Sequence, residues 1–444
     1  MAASSGSALH ERPAELLQHL IRFDTTNPPG HERECIAYID GLLREAGFET
    51  TIRARDPERP NLLARLEGRG SAPPLLLQGH VDVVTTESQP WTRPPFDGAI
   101  VDGYVWGRGA LDMKGGVAMM LSAFLRAKAN DLQPPGDVIF CAMSDEEGFG
   151  AYGAQFLVEE HPELFAGVKY AIGEFGGFAT YVGGRRFYPI QVSEKQVCTV
   201  RATVRGEGGH GAVPVRGGAI ARLAKALTAL DRKPLPVHVT PVVRDMFRAV
   251  ADASRFPTSA LVRQVLNPAL TDRILRAMGE RGRAFFPLFH NTVSPTIVQA
   301  SDKVNVIPSE ASVTMDGRLL PGFGPDDMLA ELRDVLGEDV ELELVRYDPG
   351  APEPDMSLFP TLCGILDELD PSATPIPNLM AGVTDGRFFS RLGIQTYGFL
   401  PMNLPPGFDF WRTVHGADER APVEALAFGT EAVYRALQRF AINA

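Results

Sequence analysis

Cysteine is scarce in this 444-residue sequence. The four cysteines form no Cys-x-x-Cys pair, and each lies in an apolar stretch: Cys35, Cys141, Cys198 and Cys363. This spacing argues against a disulfide framework or a thiolate zinc site and favours buried, reduced thiols. No run of about 18 apolar residues occurs, and no apolar core follows the N-terminal residues, so neither a membrane span nor a signal peptide is predicted. We expect a soluble cytoplasmic protein.

Positive charge is also in short supply, because 43 Lys and Arg residues stand against 55 Asp and Glu, a formal net charge of −12. An acidic surface repels phosphate backbones and anionic headgroups, so we expect neither nucleic-acid binding nor membrane docking. Charged residues make up 22% of the chain and apolar residues 44%, with no long run of one sign. The length therefore predicts two or three globular domains.

Apolar runs that do not alternate predict strands buried on both faces within the first 190 residues. These runs are Asn61–Leu66, Pro74–Gln78, Val138–Met143 and Val168–Ile172. Helical patterns lie between them, which is typical of an α/β sheet covered by helices. Alternating stretches such as 198–205 and 312–318 instead predict strands with one solvated face, in a smaller α+β unit. The α/β pattern returns at about 355.

Histidine and acidic residues follow these predicted strands. They are His80 with Asp82, then Asp145, Glu146 and Glu147, then Glu174, and Asp112 in a glycine-rich turn before a helix. The carboxyl ends of strands in open α/β sheets carry the functional sites, so we expect these side chains to meet. Each has an ordinary explanation by itself: a structural His–Asp pair, an N-cap, a solvated acidic loop. Together, one imidazole and several carboxylates suit zinc, manganese or cobalt.

Seven motifs, in order along nearly the whole chain, resemble the co-catalytic dizinc metallopeptidase family. They are GHVDVV (79–84), GRGALDMKGG (107–116), DEEGFGAYGA (145–154), GHGAVP (209–214), NVIPSEASVTMDGRLLPG (305–322), GVTDGRFF (382–389) and VHGADER (414–420). That family includes carboxypeptidase S, glutamate carboxypeptidase, aminoacylase, acetylornithine deacetylase and succinyl-diaminopimelate desuccinylase. The carboxypeptidase S branch is the most similar.

The resemblance implies a zinc-exopeptidase-like catalytic domain over 1–190 and 349–444, with a mixed sheet between helices. An α+β lid or dimerisation domain would be inserted at 191–348. The implied metal ligands are His80, Asp112, Glu147, Glu174 and His415, with Asp112 bridging two divalent ions, zinc first and cobalt or manganese as alternatives. Glu146 would be the general base and acid, and Asp82 would orient His80.

The same resemblance assigns substrate-binding roles to His210, Asn305, Arg318, Gly382 and Thr384, with Asp385 in the same turn. His210 would stabilise the oxyanion, and Arg318 with Asn305 would hold a substrate carboxylate. The implied reaction is attack of a metal-bridged hydroxide on an amide next to a free carboxylate, in an N-acyl amino acid or peptide. Family members often form homodimers through the lid, so the resemblance allows a homodimer here and leaves the oligomeric state open.

Several alternatives stay open. A long apolar segment at about 243–290 fits either plain helix packing or a pocket for acyl groups or bulky side chains. A small-metabolite deacylase or a dipeptidase is the competing enzyme class, and a non-catalytic metal-binding protein is the remote one. The glycines of 206–211 satisfy the GxGxxG dinucleotide pattern. Asp231, at the spacing of the acid that fold requires, closes a predicted helix instead of a strand, which disfavours that assignment.

Overall fold

The computed structural model describes residues 9–351 and 353–441 of the chain. The chain forms two compact units. Unit 1 takes the chain up to Val192, Pro354–Asn378, and the chain from Thr384 onward. Unit 2 takes Ser193–Glu353 and Leu379–Val383. Unit 1 is therefore discontinuous in sequence, and unit 2 is inserted into it.

Helices and strands are interspersed along the whole chain. The helices are α1 Pro13–Ile21, α2 Arg33–Glu45, α3 Lys114–Ala129, α4 Ala154–Glu160, α5 Ala219–Arg232, α6 Pro241–Ala253, α7 Thr258–Val265, α8 Thr271–Ala277, α9 Glu280–Phe289, α10 Pro325–Leu336, α11 Phe359–Leu369, α12 Gly386–Phe389, α13 Phe410–Thr413 and α14 Val423–Arg439. The strands are β1 Thr50–Arg53, β2 Asn61–Leu66, β3 Leu75–His80, β4 Ile100–Val101, β5 Tyr104–Trp106, β6 Val138–Met143, β7 Tyr170–Gly173, β8 Thr180–Val182, β9 Arg185–Glu194, β10 Gln196–Arg205, β11 Gly209–His210, β12 Thr292–Gln299, β13 Val306–Ile307, β14 Glu310–Leu319, β15 Glu341–Asp348, β16 Thr374–Met380, β17 Gln395–Gly398 and β18 Arg420–Pro422.

A mixed sheet forms the centre of unit 1. Among the described residues its order is β1-β2-β6-β3-β7-β17-β9-β16, with β8 paired to β9. Strands β6, β3, β7 and β17 run parallel, whereas β1, β2 and β9 pair antiparallel. Helices cover both faces. Ile139 packs in a cluster with residues of α4 and α12, and its neighbour Phe140, which points to the opposite face, contacts Phe124 of α3. The predicted α/β layer is confirmed.

The parallel strands place the acidic motifs at one edge of this sheet. Neighbouring strands β6, β3 and β7 end at Met143, His80 and Gly173, and the acidic residues follow directly. A small sheet joins a distant segment to this edge, because β18 pairs with β5 and sets Arg420 opposite Trp106. The chain after His415 is thereby held beside the chain that leads to Asp112.

Unit 2 contains an antiparallel sheet of order β12-β14-β10-β15. Burial alternates along β10 and β14 as the sequence predicts, with Val200, Ala202, Val313 and Met315 turned toward α5 and α10. Strands β11 and β13 form a separate ribbon in the same unit. The segment at 243–289 is not one long helix: α6, α7, α8 and α9 follow one another, with breaks near Pro257, Pro268 and Gly279. Proline and glycine interrupt the helix there.

The cysteines agree with a reduced state. All four are free thiols; Cys35, Cys141 and Cys198 are buried and Cys363 is half-buried. Burial raises the pKa of Cys35 and Cys198 to about 11 in each case, which keeps them as unreactive thiols. None of the helices in the described ranges is both long enough and apolar enough to cross a membrane.

Candidate metal centre

His80, Asp112 and Glu174 meet at the carboxyl edge of the unit 1 sheet. His80 Nε2 lies 3.2 Å from Asp112 Oδ1 and 3.2 Å from Glu174 Oε2. All three side chains are buried, and their ligand atoms lie within 4.8 Å of one another. One imidazole nitrogen that faces two carboxylates is the donor arrangement that a divalent cation requires.

Asp112, Glu147 and His415 form a second group that shares Asp112. His415 Nε2 lies 3.0 Å from Asp112 Oδ2 and 3.2 Å from Glu147 Oε1. Asp112 therefore turns Oδ1 toward the first group and Oδ2 toward the second, which is the geometry of a bridging carboxylate. Asp112 is not a helix N-cap, since α3 begins after Met113 and has no side-chain cap.

The protonation of these groups also fits bound cations. Burial raises the pKa of Glu174 to about 8, against the opposing charge of His80. Burial acts the same way on Asp112, but hydrogen bonds from His415 and His80 outweigh it and hold the pKa of Asp112 below its usual range. Glu174 Oε1 is buried and has no hydrogen-bond partner among the described residues. A buried, unpartnered carboxylate oxygen is costly unless a cation satisfies it, so these residues fit a metal pair.

Asp82 does more than orient His80. His80 Nδ1 lies 3.0 Å from the Asp82 carbonyl oxygen and 3.4 Å from Asp82 Oδ1. The carboxylate of Asp82 accepts the backbone N–H groups of Glu146 at 3.1 Å and Glu147 at 3.1 Å. A single buried side chain thus supports a ligand on one strand and the acidic loop on the next. Strand β3 ends at His80, and Asp82 lies two residues past that end.

Glu146 lies beside both groups of ligands, and its nearest cationic neighbour stays at a distance. The guanidinium of Arg387 is 3.8 Å from Glu146 Oε1, beyond hydrogen-bonding distance. Burial raises the pKa of Glu146 well above its usual value, and the charges of Glu174 and Asp385 raise it further. A carboxyl group with a raised pKa next to metal ligands is suited to accept and return a proton. One carboxylate oxygen of Glu146 also lies within 4.8 Å of ligand atoms of His80 and Glu147. The position of Glu146 therefore suits a metal ligand as well as a general base.

A buried polar network behind the acidic loop is absent from the sequence-based assignment. Asn27 Nδ2 donates to Asp82 at 2.8 Å and to Asp145 at 3.0 Å. Arg59 pairs with Glu32 at 2.7 Å and with Asp145 at 2.8 Å. Asp145 is therefore buried and held by this network, so it does not belong to a solvated acidic loop. The sequence carries no signal for Arg59, since it lies in no recognised motif.

Comparison with known proteins agrees with this geometry. Residues 76–439 match the model of peptidase family M20/M25/M40. The chain belongs to this family. It is therefore a metal-dependent hydrolase of the peptidase and amidohydrolase class, as the sequence predicts.

Two relatives and one solved structure show which members of the M20/M25/M40 family this chain is similar to. The human N-fatty-acyl-amino acid synthase/hydrolase PM20D1 is 29% identical over 418 residues, which are 89% of this chain and 77% of that protein. The succinyl-diaminopimelate desuccinylase of Methylobacterium radiotolerans is 30% identical over 84% of this chain and 85% of that one. The M20 family metallo-carboxypeptidase Sso-CP2 from Sulfolobus solfataricus aligns with a TM-score of 0.69 and 16% identity, over 97% of this chain and 99% of that chain. This last similarity confirms the fold.

In this peptidase, two predicted substrate residues lie together on unit 2. His210 on β11 pairs with Val306 on β13, the residue that follows Asn305 in the sequence. The Gly211 N–H donates to the Asn305 carbonyl oxygen at 2.9 Å. The Ala212 N–H donates to His210 Nδ1 at 3.1 Å. The neutral ring therefore carries its proton on Nε2, and His210 is exposed. This tautomer presents a hydrogen-bond donor to a ligand.

Arg318 lies on β14 of the same unit and already has a counterion. Its Nε donates to Asp316 Oδ1 at 2.8 Å and its Nη2 to Asp316 Oδ2 at 3.1 Å. Asp316 is two positions earlier on the strand, so both side chains point the same way. A substrate carboxylate would have to share or displace Asp316, a competition that the sequence motif does not reveal.

The residues of the turn after residue 381 differ in the unit to which they belong and in their contacts. Gly382 belongs to unit 2, and Thr384 belongs to unit 1. Thr384 Oγ1 accepts the Gly386 N–H at 3.0 Å, and its carbonyl oxygen accepts Arg387 Nη1 at 2.8 Å, so Thr384 shapes the start of α12. Asp385 is buried, and burial raises its pKa to about 7.

Aromatic side chains border the ligands of unit 1. Phe175 follows Glu174 directly, and its ring stacks on Trp411 at 6.0 Å between centroids. Trp411 lies four residues before His415 and is 56% exposed, and Phe149, close after Glu147, is 53% exposed. Across the described residues of unit 1, the large hydrophobic side chains with substantial exposure are Ile52, Ile100, Phe149 and Trp411. Both aromatic members of this set therefore adjoin the loops of the predicted metal ligands.

Three phenylalanine rings of the 243–290 insertion pack together. The Phe247 ring contacts Phe285 at 5.5 Å and Phe289 at 5.0 Å. Val265 is buried as well, and Leu266, Ile274 and Met278 are half-buried. Phe256, at 83% exposed, and Leu261, at 49% exposed, are open to solvent. A cavity of about 420 Å³ lies at α8 and α9, lined in part by Leu275 and Phe286.

Proposed function

We propose that this enzyme hydrolyses the amide bond of an N-acyl amino acid or peptide next to a free carboxylate, and that it favours apolar or bulky groups. The observation that carries the proposal is the pair of ligand groups that share Asp112, with Glu146 beside both. His80, Asp112 and Glu174 would hold one divalent ion, and Asp112, Glu147 and His415 the other. Carboxylates with imidazole favour zinc, with cobalt or manganese as alternatives.

Two divalent ions bound there would lower the pKa of a water molecule and polarise the amide carbonyl. Glu146 then accepts the proton of the attacking water and delivers it to the leaving nitrogen. Its raised pKa supports this shuttle, because a base whose pKa lies nearer to neutrality also serves as an acid. His210, whose Nε2 is the protonated nitrogen, would donate to the developing oxyanion, and Arg318 with Asn305 would hold the substrate carboxylate.

The preference for an apolar group rests on the exposed aromatic residues Phe149 and Trp411. Water-exposed aromatic side chains next to a reaction centre offer a stacking surface to an acyl chain or an aromatic side chain. Similarity to the human N-fatty-acyl-amino acid synthase/hydrolase supports the same substrate class. The insertion cavity near Phe286 is the alternative location for the apolar group.

A small-metabolite deacylase is the second candidate. It is favoured by the desuccinylase relative, which is similar over 84% of this chain. A succinyl group carries a second carboxylate, which the aromatic residues near the ligands would not bind.

One substrate panel separates the two candidates. The purified enzyme is supplied in turn with Zn²⁺, Co²⁺ and Mn²⁺ and given N-acetyl-, N-octanoyl- and N-benzoyl-phenylalanine, N-octanoyl-phenylalanine amide, and N-succinyl-diaminopimelate. We expect the octanoyl and benzoyl acids to be the best substrates and the amide, which lacks the carboxylate, to be poor. Preferred hydrolysis of the succinyl compound would establish the second candidate. No hydrolysis of any compound with any metal would contradict both.

A homodimer through unit 2 completes the proposal. Strand β12 is an edge of its sheet, and it exposes Ile297 at 55% and Val298 at 57%. An exposed apolar edge strand is a ready surface for pairing with a second copy. Light scattering of the wild type and of Ile297→Lys tests this: a dimer that the substitution converts to a monomer is expected. A cytoplasmic location remains a prediction that rests on the free thiols.

A further inference from the structure

We propose that Arg108 and Glu419 act as positioning residues that hold the loop of Asp112 and the loop of His415 in one frame. The inference rests on the proposed metal-ligand roles of Asp112 and His415. Neither Arg108 nor Glu419 faces a ligand group directly. Their side chains are 1% and 0% exposed, and Arg108 Nη1 donates to Glu419 Oε2 at 2.7 Å.

Glu419 gathers the backbone of the turn that carries Asp112. Its Oε1 accepts the N–H groups of Leu111 at 2.8 Å and Asp112 at 3.1 Å. Its Oε2 accepts Gly109 N–H at 3.1 Å in addition to Arg108. Each oxygen thus accepts two donors, and together they fix the backbone on which the bridging carboxylate is mounted. A glutamine at position 419 would have an NH₂ group in place of one of these oxygens. That NH₂ group would face two donors from which it cannot accept a hydrogen bond.

Arg108 extends the same frame to the loop of His415. It donates to the carbonyl oxygens of Gly416 at 3.1 Å and His415 at 3.3 Å, and to Gln89 Oε1 at 2.6 Å. Gln89 Nε2 in turn donates to the His415 carbonyl oxygen at 2.9 Å. The backbone of His415 therefore has two independent side-chain donors on one oxygen.

His415 requires such support because its backbone is in the left-handed region, with φ of 58°. A residue with a Cβ atom adopts that conformation only when its surroundings impose it. This conformation aims the imidazole at Asp112 and Glu147. Arg108 and Gln89 supply the constraint, and Glu419 connects it to the turn of the bridging ligand.

Burial of the pair also indicates a role beyond stability. Taking a guanidinium and a carboxylate out of water costs more than packing apolar side chains of the same volume, so a buried ion pair is weak support for stability alone. Groups that orient metal ligands from behind set the affinity for the metal, and their loss typically lowers it about 10- to 100-fold.

The two ends of the frame predict different losses. Glu419→Gln disturbs the turn of Asp112, which both ligand groups share, so both metal affinities fall. Gln89→Leu removes one donor from the His415 carbonyl oxygen and one acceptor from Arg108. It leaves the bonds of Glu419 to the turn of Asp112 in place, so the affinity of one metal falls and the other is kept. If these residues had a purely structural role, the variants would lower the stability of the metal-free protein. The two variants would then not differ in which metal affinity they weaken.

The test is a Zn²⁺ titration of the metal-free full chain against a chromophoric chelator, with thermal unfolding of the same samples before zinc is added. Two controls match the variants. Gln18→Leu removes a similar side-chain bond, from Gln18 Nε2 to the Gly98 carbonyl oxygen, and Glu331→Gln alters a buried carboxylate of unit 2 that accepts His238 and Asn291. Both controls are expected to bind two zinc ions with wild-type affinities.

For Gln89→Leu we expect one wild-type affinity and one at least 10-fold weaker, and for Glu419→Gln two weakened affinities. Wild-type affinities in Gln89→Leu would overturn the inference and leave the proposed function standing. If Glu419→Gln does not fold, Gln89→Leu alone decides the test. Gln89 is only half-buried, so we expect its substitution to leave the fold intact. A wild-type chain that binds none of Zn²⁺, Co²⁺ and Mn²⁺ would overturn the proposed function and the inference together.

Discussion

His415 Nε2 lies 3.2 Å from Glu147 Oε1, although 268 positions of the sequence separate the two residues. Glu147 follows a parallel strand of the central sheet, whereas His415 comes after the whole of unit 2. The hydrogen bonds that His415 donates, to Asp112 first and to Glu147 second, raise its pKa to about 10 in the protein alone. Metal binding has to displace that proton, so zinc uptake should release protons and weaken as the pH falls.

Replacing Glu146 with glutamine should abolish most turnover and leave the metals in place. General-base catalysis contributes about 10²- to 10⁴-fold, so kcat should fall by that factor. Glu147→Gln is the matched control, because it alters the adjacent carboxylate that is a predicted ligand and should reduce zinc content as well as activity. Metal analysis and steady-state kinetics on both variants give the answer. Loss of zinc from Glu146→Gln would assign Glu146 to the ligands.

Shortening Trp411 to alanine should reduce the advantage of long acyl groups. Burial of an aromatic or large aliphatic surface contributes about 1.5–3 kcal/mol, so kcat/KM for the octanoyl substrate should fall about 10- to 150-fold while that for the acetyl substrate changes little. Phe149→Ala should act in the same direction. Ile52→Ala, another exposed apolar residue of unit 1, is the control. A selectivity lost instead in Phe286→Ala would move the apolar subsite to the insertion cavity.

Arg318→Met should raise KM for substrates with a free carboxylate and spare their amides. A hydrogen bond to a charged group contributes about 1.5–3 kcal/mol, which corresponds to about 10- to 150-fold. The chain offers a close control in Arg346 on β15, which grips Asp348 two positions along its own strand as Arg318 grips Asp316. Equal effects of Arg318→Met and Arg346→Met on KM would rule out a specific carboxylate contact.

Lys195 should make the stability of unit 2 depend on pH. Its ammonium group donates to the His290 carbonyl oxygen at 2.8 Å and to Thr292 Oγ1 at 2.9 Å, and burial, with the charge of Arg318, lowers its pKa to about 7. Below pH 7 both the folded and the unfolded chain carry the proton. Between pH 7 and about 10.5 the unfolded chain holds it more tightly, so raising the pH favours the folded state by at most about 1.4 kcal/mol per unit.

The comparison that isolates this group is Lys195→Met against wild type. Urea unfolding followed by circular dichroism at several pH values from 6 to 10 gives the free energy of unfolding of each. The wild type should gain on the variant as the pH rises, whereas the exposed Lys225→Met should show no such trend. A constant difference between wild type and Lys195→Met would show that Lys195 keeps an ordinary pKa.

Much of unit 1 was predictable because its strands are buried on both faces. Val138–Met143 is an uninterrupted apolar run, Asn61–Leu66 is apolar apart from Asn61 and Arg65, and the structure has strands with those same bounds. Strands β9 and β16 were not predicted. Polar and proline residues occur in both strands. Strand β9 lies between β17 and β16 in the sheet, and this pairing depends on contacts that no local pattern encodes.

The supporting residues of the site escaped prediction for a related reason. Arg108, Arg387 and Glu419 all stand inside recognised motifs, but a charged residue in a glycine-rich stretch looks like a solvated turn. Their burial follows from loops that approach one another from distant parts of the chain. Arg59 and Asn27 had no motif to draw attention to them.

The sequence by itself determined the chemistry of this protein: which side chains follow which strands, and the motif order that places it among the M20/M25/M40 peptidases. Those properties are local, because a buried strand and the residues directly after it are specified by neighbouring positions. Only the tertiary structure decided that Asp112 turns one oxygen to each ligand group and that a buried Arg108–Glu419 pair joins the loops behind them. These relations depend on the pairing of β5 with β18, a contact between distant segments that forms only when the chain folds.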